Sequence, residues 1–151
     1  MRNRLLFIFA TFMLAFTFVG LNAQKRFDSK KLYTVSSVKY KGKVWTYSGV
    51  APKMKLTAAN EADKAQLWTI ADLSGSYRLV NPFDNLAVQA GENGFVQAVE
   101  TNGSDEMQLW LIKPEGEYVR LVPSNKAQWM ALCKEDGSIV LVDAAKASKD
   151  E

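Results

Sequence analysis

The sequence predicts an all-β domain closed by three similar units of about 42 residues each. Three observations carry that expectation. Gln66-Leu67-Trp68 returns as Gln108-Leu109-Trp110, 42 positions on. Over the surrounding window Ile70 matches Ile112 and Arg78-Leu79-Val80 matches Arg120-Leu121-Val122, so that 7 of 16 positions from 66 to 81 are identical where chance gives about one. Short apolar runs alternate with turn residues along the whole stretch. The same offset run backwards sets Ser36-Ser37-Val38 against Arg78-Leu79-Val80, so three units fit between Leu32 and Glu151.

The chain opens on a segment of another kind. Arg2 and Arg4 precede an apolar run from Leu5 to Val19, and Gly20-Leu21-Asn22-Ala23 leads into Gln24. This basic, apolar, small order is that of a secretory signal peptide, and the run is shorter than the roughly 20 residues that span a bilayer as a helix. The expected division is therefore a signal peptide over 1–23 with cleavage after Ala23, then one domain over 24–151. The expected location is secreted, or periplasmic and cell-envelope, with no membrane attachment after cleavage. Removal takes away two basic residues and no acidic one, so the whole-chain charge of +3 falls toward neutrality. The basic residues gather only at Lys25, Arg26, Lys30 and Lys31, with Lys39, Lys41 and Lys43 beyond, which reads as a solvated stretch rather than a nucleic-acid face.

The strands then follow in order. Leu32–Val38, Val44–Ser48 and Lys53–Ala58 open the first unit, which Gln66–Ala71 closes. Tyr77–Asn81, Leu86–Ala90, Phe95–Val99 and Gln108–Lys113 form the second. Tyr118–Pro123, Trp129–Lys134 and Ser138–Val142 belong to the third. Lys41-Gly42, Ser74-Gly75, Pro82–Asn85, Glu92–Gly94, Asn102-Gly103, Glu115-Gly116 and Asp136-Gly137 supply the reversals. The Ala-rich stretches Thr57–Ala65 and Asp143–Lys149 read as short helices, the second alternatively as a turn. A β-propeller needs four or more blades and a helical array lacks Gly-punctuated strands, so three units of four strands leave a β-trefoil, in which closure hides the strand edges. The third signature belongs near position 150 and does not stand there, so the last strand is expected to be missing. The chain then reads as truncated or as the front of a longer secreted protein, or the gap is filled by Gln24–Lys31 or a partner chain.

These tripeptides, followed by Tyr77-Arg78-Leu79-Val80-Asn81 and Leu86-Ala87-Val88-Gln89, resemble the Gln-x-Trp repeats of ricin-type lectins from Leu32 onward. The resemblance implies a carbohydrate-binding module. The family's acidic sugar-binding position maps to Gln89, to Tyr47 and near Cys133, none of them Asp. Its aromatic platform maps near Val99 and Thr57, and its Asn to Ala65 and Met107. The galactose-type site is thus not preserved by this mapping.

Trp68 and Trp110 are expected in the core, with each Gln satisfying backbone groups in a turn. Trp45 and Tyr47 alternate with Val44 and Thr46, so one pair faces inward, and core is favoured for the aromatic pair. Trp129 follows Gln128 directly and is not a third signature. Ligand chemistry is expected on the second hairpin. Gln89, Asn93, Gln97 and Asn102 would hydrogen-bond sugar hydroxyls beside Glu92, with Phe95 or Tyr47 as the stacking face. The alternative is a protein-binding trefoil, a protease inhibitor or envelope scaffold, working through Asn81–Asn85 or Asn102–Glu106.

The chain has no histidine and one cysteine, Cys133, so no internal disulfide forms and Cys133 is expected to pack as a small hydrophobe. No phosphate loop, metal-ligand cluster or nucleophile motif stands in the sequence, and its carboxylates fall in turns. No enzyme activity, cofactor or metal is expected.

Overall fold

A computed structural model describes residues 8–9, 27–49 and 54–147. The signal-peptide reading, the first residue of the expected strand Lys53–Ala58 and the expected last signature fall outside these, apart from Ile8 and Phe9. The strands are β1 Ile8–Phe9, β2 Thr34–Val35, β3 Lys43–Tyr47, β4 Met54–Ala58, β5 Thr69–Leu73, β6 Ser76–Asn81, β7 Leu86–Ala90, β8 Val96–Glu100, β9 Trp110–Glu115, β10 Tyr118–Pro123, β11 Trp129–Cys133 and β12 Ile139–Asp143. The fold is all-β, with two single-turn 3-10 helices among the described residues, at Lys64–Gln66 and Glu106–Gln108.

Two sets of strands divide the work. Barrel strands pair antiparallel as β5 with β6, β6 with β9 and β9 with β10, and the bridge Tyr33↔Trp68 adds the first unit to this wall. The hairpins β3–β4, β7–β8 and β11–β12 form the second set. They meet where the turn of one reaches a strand of another. The Leu56 amide donates to the Gly137 carbonyl and the Leu141 amide to the Gly94 carbonyl, each at 2.8 Å, so one hairpin leans on the next in the same way twice. Met54, Val96 and Ile139, the first residues of β4, β8 and β12, are all fully buried where the hairpins converge. Gly94 and Gly137 make those turns with φ of 81° and 85°, a region that side chains other than glycine's enter only with strain.

One core joins the parts: Trp68, Ile70, Leu79, Trp110 and Leu121 from the barrel pack with Trp45, Leu56, Val88, Ala98 and Ile139 from the hairpins. Phe27 closes over this core, with edge-to-face contacts to Tyr33 and Tyr77 at centroid separations of 5.6 and 5.4 Å.

Four expectations are corrected. Thr57–Ala65 is not a helix: Thr57 and Ala58 finish β4, and only Lys64–Gln66 makes a 3-10 turn. In the second Ala-rich stretch Ala144–Lys146 forms turns, the alternative read for it, and 148–149 lie outside the described residues. The closing strands begin at Thr69 and Trp110, later than the Gln residues expected to start them, because each Gln is folded into a 3-10 turn. Finally, Tyr33 and Tyr77 hold equivalent bridges, to Trp68 and Trp110, so Thr34-Val35-Ser36 and not Ser36-Ser37-Val38 lies over Arg78-Leu79-Val80. The strict alternation expected in β3 fails as well. Val44, Trp45 and Thr46 are all buried, since this hairpin is covered on both faces, and Tyr47 is half-buried against the core.

Candidate functional site

The two signature glutamines are built identically. Gln66 Oε1 accepts from the Asn60 amide (2.8 Å) while its Nε2 donates to the Ala58 carbonyl (2.8 Å). Gln108 Oε1 accepts from the Asn102 amide (2.9 Å) and its Nε2 donates to the Glu100 carbonyl (3.0 Å). Each Gln thus ties the end of a hairpin to the turn that precedes its own strand. The indoles behind them are fully buried and donate from Nε1 to the Trp45 carbonyl (3.4 Å) and the Val88 carbonyl (2.9 Å). Trp68 and Trp110 are therefore equivalent points of one repeated frame, with packing roles.

This frame fixes which hairpin positions correspond. Trp45 answers to Val88, so Thr46 of β3 stands where Gln89 stands in β7, and its cross-strand partner Lys55 stands where Gln97 does. In the third hairpin the corresponding pair is Leu132 and Val140. Only the second hairpin puts two amides there.

The amides are joined to a carboxylate. Gln97 Nε2 donates to Gln89 Oε1 (2.6 Å), and Gln89 Nε2 donates to Asp105 Oδ2 (2.6 Å). Asp105 Oδ1 caps the 3-10 turn by accepting from the Met107 amide (2.9 Å), and Arg78 Nη2 holds the same loop through the Gly103 carbonyl (3.1 Å). All three side chains of the chain are half-buried, so they are held in place yet reach solvent. By its inventory of donors and lone pairs, each amide keeps hydrogen-bonding capacity beyond these contacts.

The tip of the hairpin adds an aromatic face. Asn93 Oδ1 accepts from the Phe95 amide (3.1 Å), and the Gly91 amide donates to the Phe95 carbonyl (2.9 Å), so the turn presents a Phe95 ring that is 36% exposed. Gly91 is required there: a Cβ would come within 2.5 Å of Asn93 Oδ1 and 2.8 Å of the Phe95 carbonyl oxygen.

Of the residues expected from sequence, Gln89, Asn93, Phe95 and Gln97 thus share the β7–β8 hairpin. Tyr47 is on the β3–β4 hairpin instead, and Asn102 is in the loop after β8, where its Oδ1 accepts from the Ser104 amide (3.0 Å) and its own amide serves Gln108. Asn60 does the same work in the first unit, through the Ala62 amide and Gln66. Asp105 completes the cluster and is missing from the sequence-derived set. Its signal is its place three residues before Gln108, which Asp63 mirrors before Gln66 with a cap on the Ala65 amide.

No family model matches the chain, and no curated protein matches its sequence at a significant level. Solved structures do match its fold. The GlcNAcα1-4Gal-releasing endo-β-galactosidase from Clostridium perfringens is 16% identical with a TM-score of 0.62, over 73% of this chain and 28% of that one. The designed threefold symmetric protein ThreeFoil is 15% identical with a TM-score of 0.61, over 77% and 91%. The Polyporus squamosus lectin, solved with a human-type influenza-binding epitope, is 12% identical with a TM-score of 0.63, over 82% and 47%. The matched part makes up little of some of these proteins: 28% of the endo-β-galactosidase and 16% of a mosquitocidal holotoxin. At such identities the likeness establishes the fold, which is a β-trefoil.

Proposed function

We propose that this chain is an exported, ricin-type, lectin-like module without catalytic activity, and that its second hairpin binds carbohydrate. The leader Met1–Ala23 would direct it out of the cytoplasm, to the medium or the cell envelope. The observation that carries the reading is the hydrogen-bonded chain Gln97–Gln89–Asp105 on the hairpin whose turn exposes Phe95. Fixed amides and a carboxylate match the alternating donors and acceptors of vicinal sugar hydroxyls, and a phenyl face suits the apolar side of a pyranose. Three frame-equivalent hairpins carry Thr/Lys, Gln/Gln and Leu/Val at one position, and only the middle pair offers this chemistry.

Galactose-containing oligosaccharides are the first class to test, because the similar endo-β-galactosidase releases GlcNAcα1-4Gal and the Polyporus lectin was solved bound to Neu5Acα2-6Galβ1-4GlcNAc. The chain from Gln24, applied to a glycan array and then titrated with the best ligand, should bind. Gln89→Ala and Gln97→Ala should each weaken binding about tenfold with the fold retained. A folded domain that binds no glycan removes the proposal.

A protein-binding trefoil is the second reading, and one observation favours it. The Asn81–Asn85 turn is pinned by buried Asn81, whose Oδ1 accepts from the Phe83 and Asp84 amides, and it presents Phe83 at 45% exposure. Retention of a partner from envelope extracts, released by Phe83→Ala and unaffected by sugar, would select this reading over the first.

A further inference from the structure

Asp105 gives the hydrogen-bonded chain of the second hairpin a direction. A carboxylate only accepts, so Gln89 meets Asp105 Oδ2 with its Nε2. That turns Gln89 Oε1 toward Gln97, its cross-strand partner, which answers with its own Nε2. Gln97 Oε1 is left at the free end of the chain, and no donor among the described residues reaches it. Asp105 receives the Met107 amide on Oδ1 and Gln89 on Oδ2, so each oxygen has room for another donor. Acceptors therefore outnumber the N–H groups that the two amides have left.

The turn of the hairpin adds more oxygens. A Cβ on Gly91 would lie 2.5 Å from Asn93 Oδ1, 2.8 Å from the Phe95 carbonyl oxygen and 3.1 Å from Gln97 Cδ, so the Gln97 amide and two further acceptors converge on one point. Those two hold the Phe95 and Gly91 amides, and an oxygen of this kind accepts two donors. The charge has the same sense. From Leu79 to Ile112 the sequence carries Asp84, Glu92, Glu100, Asp105 and Glu106 and no Lys, Arg or His, in a chain whose net charge is +3. Arg78, just before this stretch, holds the loop through the Gly103 carbonyl, and no Lys or Arg among the described residues pairs with Asp105.

We propose that this site selects sugars bearing a free amine, in its ammonium form, over their N-acetylated, neutral and acidic counterparts, an assignment that rests on the carbohydrate reading above. An ammonium offers three donors and no acceptor, which is the complement of this surface. Its hydrogen bonds to a carboxylate are charge-assisted and roughly twice as strong as neutral ones. N-acetylation removes the charge and two of the donors. A uronate brings acceptors and negative charge against acceptors and negative charge, so repulsion adds to the discrimination.

The buried core residues lie between Tyr33 and Ile139, so the chain from Gln24 retains them. That chain is titrated with the methyl β-glycosides of galactosamine and glucosamine, each beside its N-acetyl, 2-hydroxyl and 6-carboxylate counterparts, at about pH 6, where the sugar amine is protonated. At least one of the two amino sugars is expected to bind about fivefold tighter than its N-acetyl and hydroxyl forms, with the uronate weakest. Asp105→Asn should bring the ratio of amine to hydroxyl sugar near one. Asn still caps the 3-10 turn, but it can meet Gln89 with its own N–H, so the chain reverses and Gln97 turns a donor outward. Glu106→Gln removes the same charge from an exposed neighbour outside the chain and should leave the ratio unchanged.

Equal binding of the amine and hydroxyl sugars by a chain folded by near-ultraviolet circular dichroism overturns the amine selectivity and leaves the carbohydrate reading standing. An amine preference that survives Asp105→Asn, or that Glu106→Gln abolishes equally, also overturns it, by tracing the preference to the general acidic field. A folded chain that binds none of these sugars and nothing on the glycan array overturns both.

Discussion

The smallest unit that specifies this fold is a single glutamine. Gln66 and Gln108 are buried side chains whose amides each meet one backbone N–H and one backbone carbonyl, 42 residues apart in sequence and with matching partners. Truncation to Ala would leave two backbone groups to find water in a closed space, at a cost of about 2–4 kcal/mol. Gln66→Ala and Gln108→Ala are expected to lower stability in urea to a similar extent. Gln108→Glu should recover part of the loss, because its carboxylate still accepts from Asn102. If one variant is near neutral while the other is costly, the equivalence of the two sites fails. This scale is legible in sequence because the requirement is local: a Gln two residues before an indole serves the turn immediately upstream of it. Asp105 is less so. Its cap on Met107 is local, but its link to Gln89 depends on a loop being carried back over the hairpin and held there by Arg78 through Gly103.

Elements differ more from their sequence signals than residues do, and each departure has a physical cause. Thr57–Ala65 reads as helix on propensity, yet Thr57 and Lys55 stand opposite Val44 and Thr46 in a ladder, and tertiary pairing overrides a weak local preference. A constant period of 42 misplaces the opening strand by two residues. The first unit has 35 positions from Tyr33 to Trp68 where the second has 33 from Tyr77 to Trp110, so extra residues in its loops spoil a fixed offset. The β7–β8 hairpin is the element on which fold and proposed site coincide. Gly91→Ala would drive a Cβ into Asn93 Oδ1 and the Phe95 carbonyl, whereas Gly75→Ala meets open space and suffers only the strain of φ at 96°. Both should cost about 1–3 kcal/mol of stability. Only Gly91→Ala should also weaken glycan binding, by displacing Phe95, and calorimetric titration of the two variants separates backbone strain from damage to the site. Equal binding by both would detach the turn from ligand recognition.

At the scale of the whole molecule, closure decides cooperativity. β4, β8 and β12 touch pairwise where Met54, Val96 and Ile139 are fully buried, and the Gly94 and Gly137 turns accept hydrogen bonds from Leu141 and Leu56 of neighbouring hairpins. A unit that contributes one side of this triangle has no core of its own, because the residues that bury it come from the other two. The third unit, with its half-buried Val119 and Ala131, is nevertheless part of the same cluster through Leu121 and Ile139. Met54→Ala and Ile139→Ala should therefore each lose about 2–5 kcal/mol, the range for emptying a buried aliphatic site. Both should shift one and the same urea transition, with the slope unchanged and with tryptophan fluorescence and far-ultraviolet circular dichroism superimposing. A separate early transition in Ile139→Ala alone would mean that β11–β12 detaches from a stable remainder.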